Sequence, residues 1–463
     1  MEKRNSDWSK AIYWAWGMHA LILIGFRVFL IKLNPAAPPD STWVISPVFS
    51  VLRGEYLMNE FVGSNAGIYY HYLLVPFFAL FKGKYSIFVF YELVKIALSL
   101  FVFKIFHKKL KLSMSWAFLI AALVFLVKEM MMMRPELVLG TLILVFHLIY
   151  LKESNKTKSF LPAVVFFAVL FLLHPIAAAM HGIIYVLLHE MYRLENVKTF
   201  GKRNMMIIVL LLILAFVYTV YSPAGKAQLA MSESRLQDSG LFGIYYFMKM
   251  SFPLFLALVL LRLGQGNWKP YLIQFIVFLV LITLIGGHYY YVYFLIFTLL
   301  DMLKQSGHKS LKMSAFMANV VVYCFLASVF LSLGHPCYVY SESRNFVSTT
   351  AKVFEHIEMI SDQTTERDVY VDPSFAMPLL QNSNTKILYK GLPAFGSEDF
   401  RLKIGDLLLL TTEKDLLQLQ ASHHGDRFDT VQRIPFAEGV LSLSSGYSWR
   451  VNAYGLVEAR VVK

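Results

Sequence analysis

The chain has 463 residues, of which 57% are hydrophobic and 16% are charged, and its mean hydropathy is +0.55. This composition is too apolar for a water-soluble protein of such length, so it predicts a polytopic membrane protein. The formal net charge of +13 is spread over short loops and forms no basic face interleaved with aromatic residues, which argues against nucleic-acid binding. The two cysteines, Cys324 and Cys337, provide no disulfide framework.

Long apolar runs recur along the first three quarters of the chain and predict about eleven transmembrane helices. The N-terminal segment is basic, and the first run is too long for the core of a signal peptide, so it predicts an uncleaved anchor. The shorter run at 68–81 predicts an interfacial or re-entrant helix. The predicted spans are 11–33, 86–106, 114–133, 137–151, 160–173, 176–190, 204–221, 241–261, 270–287, 289–303 and 313–334.

Basic residues orient these spans, because loops rich in Lys and Arg stay in the cytoplasm. With the N-terminus inside, the inside loops carry 19 basic residues and the outside loops carry seven. The predicted location is therefore an inner (plasma) membrane with a cytoplasmic N-terminus. Several polar residues that could take part in catalysis or binding then lie on the predicted outer side: Asp40, Glu129, Arg134, Glu136, His174 and His288.

Two domains are predicted. Residues 1–337 form the α-helical membrane domain, with a polar outer loop at 34–85, and residues 338–463 form a soluble α/β domain outside the membrane. That second domain shows helical spacing over 344–360 and short strands at 369–371, 387–389 and 406–410. It contains neither a G-x-G-x-x-G motif nor a phosphate-binding P-loop, so no nucleotide site is expected.

Asp40 opens the polar outer loop directly after the first predicted span. A carboxylate at the membrane surface can deprotonate a hydroxyl group or bind a metal ion. The same residue, followed by Ser41 and Thr42, also fits a helix N-cap. These two interpretations are compatible, because a capping turn can orient a catalytic carboxylate.

Arg134 begins an Arg-Pro-Glu motif at the start of the fourth predicted span. Pro135 suits the first position of a helix, and Glu136 suits its first turn. An arginine held at a helix start can bind a phosphate. Alternatively, Arg134 extends to the interface as a membrane-boundary residue, or it forms a structural pair with Glu129.

Two aromatic clusters, 69–72 and 288–291, lie at the predicted outer boundary. Sugar rings stack on aromatic faces, and phosphates accept hydrogen bonds from His and Tyr, so both clusters suit a glycolipid site. An aromatic belt at the bilayer interface is the alternative. The candidate substrate-binding residues besides Arg134 and Glu136 are Tyr69, Tyr70, His71, Lys82, Lys84, His174, Lys249, His288 and Tyr289.

Taken in order, these features resemble the GT-C class of integral-membrane glycosyltransferases, which includes the aminoarabinose transferases and the protein O-mannosyltransferases. The resemblance covers residues 1–303. It rests on Asp40 early in the first outer loop, the apolar stretch 69–86, the motif 134–136, the His174-Pro175 pair and the HYYYVYFLIF segment from His288. The chain departs from the frequent Asp-Glu pair of that class, because Ser41 follows Asp40.

The resemblance implies transfer of a sugar, with inversion, from a polyprenyl-phosphate donor to an acceptor hydroxyl on the extracytoplasmic face. It implies Asp40 as the general base, and Arg134 with an outer lysine as ligands of the departing phosphate, whose charge a fixed cation stabilises. The implied partners are the lipid-linked sugar, a lipid, glycan or protein acceptor, and the bilayer. No nucleotide cofactor is implied, and the Asp40-Ser41 sequence leaves a divalent metal open.

Two other functions suit part of the same pattern. A flippase or transporter of lipid-linked sugars would also use outer charges, aromatic clusters and Lys249, which lies inside a predicted span. However, the sequence shows no inverted repeat, and its polar residues collect on one side. A polymerase or ligase of lipid-linked glycans shares the substrate, but usually has its long outer loop later in the chain.

Overall fold

The structure is a computed structural model of the whole chain. It describes the ranges 68–80, 86–126, 134–152, 161–190, 252–263, 269–285, 290–306, 314–329, 352–353, 355–360, 368–371, 385–387, 403–410, 416–417, 428–434, 438–442, 448–452 and 456–462, and the single residues Gly17, Leu21, Gly25, Val48, Val217, Tyr221 and Gln420.

Helices occupy the described ranges up to residue 329 and coincide with apolar runs of the sequence. They are α1 (Ile68–Leu80), α2 (Ser86–Lys104), α3 (Met114–Leu126), α4 (Pro135–Lys152), α5 (Leu161–Leu173), α6 (Pro175–Tyr185), α7 (Phe252–Leu263), α8 (Lys269–Ile285), α9 (Tyr291–Ser306) and α10 (Ala315–Val329). Among the residues described, we find no helix that combines the length and the apolar character needed to cross a membrane.

Local chemistry explains where several of these helices start and stop. Both α4 and α6 begin with a proline, which fixes a helical φ angle and lacks the N–H group that would be unsatisfied there. After α2 the chain widens into a π-helical turn, Ile105–Lys109, whose basic residues lie at the negative end of the helix dipole. Lys111 then takes a positive φ of 53°, a conformation that ends helices.

The helices from α2 to α10 belong to one compact unit, together with α1 as far as Phe77. Within it, α4 packs on α9, α5 on α6, α3 on α10, and α7 on both α9 and α10. The contact between α4 and α9 is very close at Gly140. A Cβ atom added there would lie 2.7 Å from Cγ1 of Val292 and 2.8 Å from Cδ1 of Ile296, so only glycine fits without a shift.

The second unit contains a mixed five-stranded sheet and a separate hairpin. The sheet has the order β2-β1-β3-β7-β4, in which β1 pairs parallel with β2 and β3, and β7 pairs antiparallel with β3 and β4. The strands are β1 (Val369–Val371), β2 (Thr385–Ile387), β3 (Leu407–Leu410), β4 (Phe428–Ile434), β5 (Glu438–Ser442), β6 (Ser448–Asn452) and β7 (Leu456–Val461), with β5 and β6 forming the hairpin.

Both faces of the central strands are buried. Tyr370, Leu408 and Val457 belong to a hydrophobic cluster on one face, while Val369 and Leu407 are buried on the alternate positions. Strands covered on both sides are continuously apolar, as the sequence of β3 is.

The three predicted strands correspond to β1, β2 and β3. β1 has the predicted bounds, β2 begins two residues earlier than predicted, and β3 begins one residue later. The strands β4 to β7 were not predicted from the sequence. β4 is the edge strand of the sheet and is polar and largely exposed, so it lacks the buried apolar run on which the other assignments depended.

Candidate functional site

The Arg-Pro-Glu motif folds back on itself at the start of α4. Nε of Arg134 lies 3.5 Å from Oε2 of Glu136, which is too long for a good hydrogen bond but close enough for a strong charge interaction. Glu136 is buried, with 1% of its side chain exposed, whereas Arg134 retains 11%. The arginine is therefore the accessible member of the pair and the acid is the enclosed one.

His174 joins this pair from the start of α6. It is the N-cap residue, with an extended backbone (φ −166°, ψ 107°), and its Nδ1 accepts a hydrogen bond of 3.3 Å from the backbone N–H of Ala177. Because Nδ1 accepts, the proton of the neutral ring lies on Nε2. Nε2 is 3.7 Å from Oε1 of Glu136, so two motifs far apart in the sequence meet at one carboxylate.

The environment keeps His174 neutral at physiological pH. Burial lowers its pKa below the ordinary 6.5, and the positive charge of Arg134 acts in the same direction. The negative charge of Glu136 opposes this shift but does not overcome it. The imidazole is therefore a neutral hydrogen-bond donor at Nε2 rather than a second cation.

Tyrosines from two further helices interact electrostatically with the carboxylate, and a tyrosine from a third helix interacts with one of them. The hydroxyl groups of Tyr70 in α1 and Tyr91 in α2 are 2.7 Å apart, and both side chains are buried. Burial raises the pKa of Tyr70 well above 10.0, and Tyr91, Glu136 and Tyr293 add to that shift. Tyr91 also interacts electrostatically with Glu136 and Arg134. We call Tyr70, Tyr91, Arg134, Glu136, His174 and Tyr293 the Glu136 cluster.

Gly140 explains how Tyr293 reaches this cluster. The glycine lies one helical turn after Glu136 on α4, and a Cβ atom there would be 3.8 Å from Cε1 of Tyr293. The absence of a side chain lets α9 approach α4 closely at this level. Tyr290, a buried tyrosine directly before α9, stacks on Tyr293 with ring centroids 6.3 Å apart.

The structure brings together four of the residues that were predicted from the sequence: Tyr70, Arg134, Glu136 and His174. His71 lies beside them, buried and in edge contact with the ring of Tyr70 at 5.9 Å, and Tyr69 belongs to the same helix. The neighbouring Tyr72 is 41% exposed, whereas Tyr70 is buried. Of these two tyrosines, only Tyr72 has the exposure expected of an aromatic belt at the bilayer interface. The remaining candidates lie outside the described residues: Asp40, Lys82, Lys84, Lys249, His288 and Tyr289.

Two members of the Glu136 cluster, Tyr91 and Tyr293, were not predicted. Tyr91 directly precedes Glu92 in an otherwise apolar run, and polar residues in such a run are a signal that could have identified it. Tyr293 follows Tyr290 by three positions, a spacing that places both on one helix face. The alternative partner considered for Arg134, Glu129, is not among the described residues.

Further buried polar pairs lie elsewhere in the helical unit. Lys95 contacts both carboxylate oxygens of Glu92 at 2.8 and 2.6 Å, and Nε of Arg262 donates a short hydrogen bond to Oδ2 of Asp301. Two histidines also pair, since Nε2 of His147 and Nδ1 of His181 are 3.1 Å apart. In each pair the two groups contact each other directly.

The described residues contain no group of three or more His, Cys, Asp or Glu side chains placed to hold a metal ion. No protein-family model matches the chain. No curated protein matches it with significant sequence similarity.

Proposed function

We propose that the chain is a membrane glycosyltransferase that moves a sugar from a polyprenyl-phosphate donor to an acceptor hydroxyl on the extracytoplasmic face. The observation that carries this proposal is the Glu136 cluster. Residues selected from separate sequence motifs for their chemistry lie together there, around a buried carboxylate with an accessible arginine beside it. Among the described residues neither oxygen of Glu136 has a hydrogen-bond partner, and a structural role alone gives no reason for that.

The exposed faces of several helices support a membrane location. On α5 the residues Leu161, Val165 and Val169 are exposed at intervals of four, which forms one apolar stripe. On α8 the exposed residues include Ile273 and Ile276, whereas the polar Gln274 is fully buried. Helices of water-soluble proteins have the opposite arrangement, so an apolar exterior with polar groups inside favours a bilayer as the surroundings.

In the proposed reaction, the carboxylate of Asp40 removes the proton from the acceptor hydroxyl. The acceptor oxygen then bonds to the anomeric carbon as the bond from that carbon to the phosphate oxygen breaks. The electron pair of the broken bond leaves with the phosphate, which gains a negative charge. Arg134, with Lys82 or Lys84, stabilises that charge.

The exposure of the cluster residues fits this division of roles. Arg134 is the accessible member, so it suits the phosphate, which remains attached to a long lipid. Glu136 and His174 are enclosed and suit the part of the donor that is fully surrounded, the sugar. The chemistry requires no nucleotide, and a divalent metal bound at the phosphate would add further positive charge.

The test is transfer by purified protein in detergent, without a membrane gradient. Polyprenyl-phosphate sugars are incubated with lipid, glycan and protein acceptors, and products are identified by mass spectrometry. Cells lacking the protein are examined in parallel for accumulated lipid-linked sugar, which identifies the natural donor. Product formation that falls about 10²–10⁴-fold in Asp40→Asn, with donor binding retained, supports the proposal.

One observation favours the transporter as a second candidate. The carboxylate of Glu136 is buried within the helical unit, and charged residues inside a helical bundle often mark a substrate path. A flippase makes no covalent bond and needs two compartments. Movement of lipid-linked sugar across proteoliposomes, with no product formed from any acceptor, would replace the transferase proposal by this one.

A further inference from the structure

The carboxylate of Glu136 has contacts that do not satisfy its hydrogen-bonding capacity. Among the described residues, neither of its oxygens has a hydrogen-bond partner, and neither does Nε2 of His174, although both side chains are at least 99% buried. Two of its neighbours, Arg134 and His174, lie at 3.5 and 3.7 Å, beyond good hydrogen-bond range. A buried carboxylate without hydrogen bonds is unfavourable, so this arrangement suits a ligand that supplies them.

The donors and acceptors around Glu136 specify which ligand fits. A carboxylate only accepts hydrogen bonds, whereas Arg134 and the Nε2–H group of His174 only donate them. Each carboxylate oxygen is thus separated from a donor by a gap too wide for direct bonding. A group that bridges such a gap must donate to the oxygen and accept from the nitrogen.

Hydroxyl groups meet this requirement, whereas ionised phosphate and ammonium groups do not. An ionised phosphate cannot donate, and a negative charge beside Glu136 is repelled. An ammonium group cannot accept from Arg134 or His174. There are two gaps, one at each oxygen of a single carboxylate, and those oxygens are close together. Two hydroxyl groups on neighbouring carbon atoms of one molecule would therefore fill both gaps.

We propose that Glu136, flanked by His174 and Arg134, is a subsite for two adjacent hydroxyl groups of the donor sugar. This inference rests on the proposed function and assigns the sugar, rather than the phosphate, to Glu136. One hydroxyl bridges Nε2 of His174 and Oε1 of Glu136, and the other bridges Arg134 and Oε2. The phenol groups of Tyr70 and Tyr91, which lie within electrostatic range of Glu136, complete the polar wall of this subsite.

The experiment compares two lipid probes on the full-length protein in detergent. The first is polyprenyl phosphate without a sugar, and the second is a set of polyprenyl phosphates carrying glucose, mannose, galactose or xylose. Affinities are measured for wild type, for Glu136→Gln, and for the matched control Glu355→Gln, an exposed glutamate of the other unit. Glutamine retains the shape of the side chain but removes the charge.

We expect Glu136→Gln to weaken binding of the preferred sugar-bearing lipid roughly tenfold to a hundredfold, because hydrogen bonds to a buried charge are lost. Binding of polyprenyl phosphate itself should not change, and Glu355→Gln should behave as wild type with both probes. The wild-type protein should lose the same affinity for a donor whose sugar lacks one of the two hydroxyl groups. This last comparison needs no variant and holds even when Glu136→Gln fails to fold.

The other outcomes separate the two proposals. Equal weakening of both probes by Glu136→Gln would assign Glu136 to the phosphate site and overturn the subsite while leaving the transferase standing. No change with either probe, together with full binding of the deoxy donors, would mean that water alone occupies the gaps, and would also overturn it. Wild-type protein that binds neither kind of lipid would overturn the transferase and the subsite together.

Discussion

Two buried charge pairs in the helical unit show how differently the same chemistry can be arranged. Arg262 and Asp301 are in direct hydrogen-bond contact, each at most 1% exposed, and the guanidinium carbon of Arg262 lies 5.8 Å from the centre of the Tyr271 ring. Arg134 and Glu136 are 3.5 Å apart without a hydrogen bond, and the arginine is partly exposed.

The difference lies in what each pair leaves available. The Arg262–Asp301 contact directs donor and acceptor at each other, which is how a protein neutralises charges that it must bury. The Arg134–Glu136 pair leaves both carboxylate oxygens able to accept. A closed pair, such as Arg262–Asp301, suits a structural role. An open pair, such as Arg134–Glu136, leaves its carboxylate oxygens able to accept hydrogen bonds from a ligand.

The largest effect is expected from breaking the closed pair. Asp301→Asn leaves the Arg262 charge buried without its counter-ion, and should lower the free energy of unfolding by about 3–5 kcal/mol. Denaturant titration of the purified protein in detergent measures this loss. The control Asp429→Asn changes an exposed residue of β4 and should have little effect. Glu136→Gln should be much milder than Asp301→Asn, and equal losses would contradict the distinction between open and closed pairs.

The open pair should show its effect in ligand binding. Arg134→Ala should weaken binding of polyprenyl phosphate by about 1.5–3 kcal/mol, because it removes a charge-assisted hydrogen bond. Arg134→Lys should restore only part of that affinity, since lysine lacks the planar fork of arginine. Isothermal titration of the purified variants provides the measurement. Unchanged affinity in Arg134→Ala would exclude the arginine from the phosphate site.

The position of Tyr293 in the open site depends on the close approach of α4 and α9. Gly140→Ala should destabilise the protein by about 1–3 kcal/mol, because its Cβ atom would meet the stiff side chain of Val292. Gly182→Ala in α6 is the matched control, since its Cβ atom would meet only Phe167 at an ordinary 3.4 Å. Thermal unfolding of both variants tests the contact, and similar melting temperatures would show that α9 can shift without cost.

The smallest effect is a pH dependence that only the open site should have. His174 has a lowered pKa in the folded protein, so below about pH 6.5 the unfolded chain binds a proton that the folded chain does not. The contribution of His174 to the free energy of unfolding should therefore be constant above about pH 6.5. It should fall as the pH drops from there towards the pKa of His174 in the folded protein. His174→Gln should show a shallower loss between pH 6.5 and 5 in parallel denaturation curves. An identical slope in the variant would mean that His174 protonates equally in both states.

Several local features of the site followed directly from the sequence. Proline after Arg134 predicted a helix start, and α4 begins there. Glu136 was expected in the first turn of its helix, where it lies. These features depend on interactions between residues that are neighbours in the chain, so the sequence contains the information needed to predict them.

The partners of these residues did not follow from the sequence. Glu136 lies beside Arg134 in the structure, and the alternative partner Glu129 is outside the described residues, so that pairing stays a prediction. Asp301 lies within an apolar run, and its pairing with Arg262, 39 positions away, left no local pattern. The role proposed for Asp40 stays a prediction, because that residue is not among those described.

The apolar runs, one proline helix start and a set of polar residues that are costly to bury could all be identified in the sequence. That Tyr70, Glu136 and His174 meet, and that Tyr91 and Tyr293 join them, depends on how the helices pack. The physical reason is that periodicity assigns a residue to a face of its own helix, whereas the packing of helices, set here by contacts such as Gly140 against Val292, selects which faces meet.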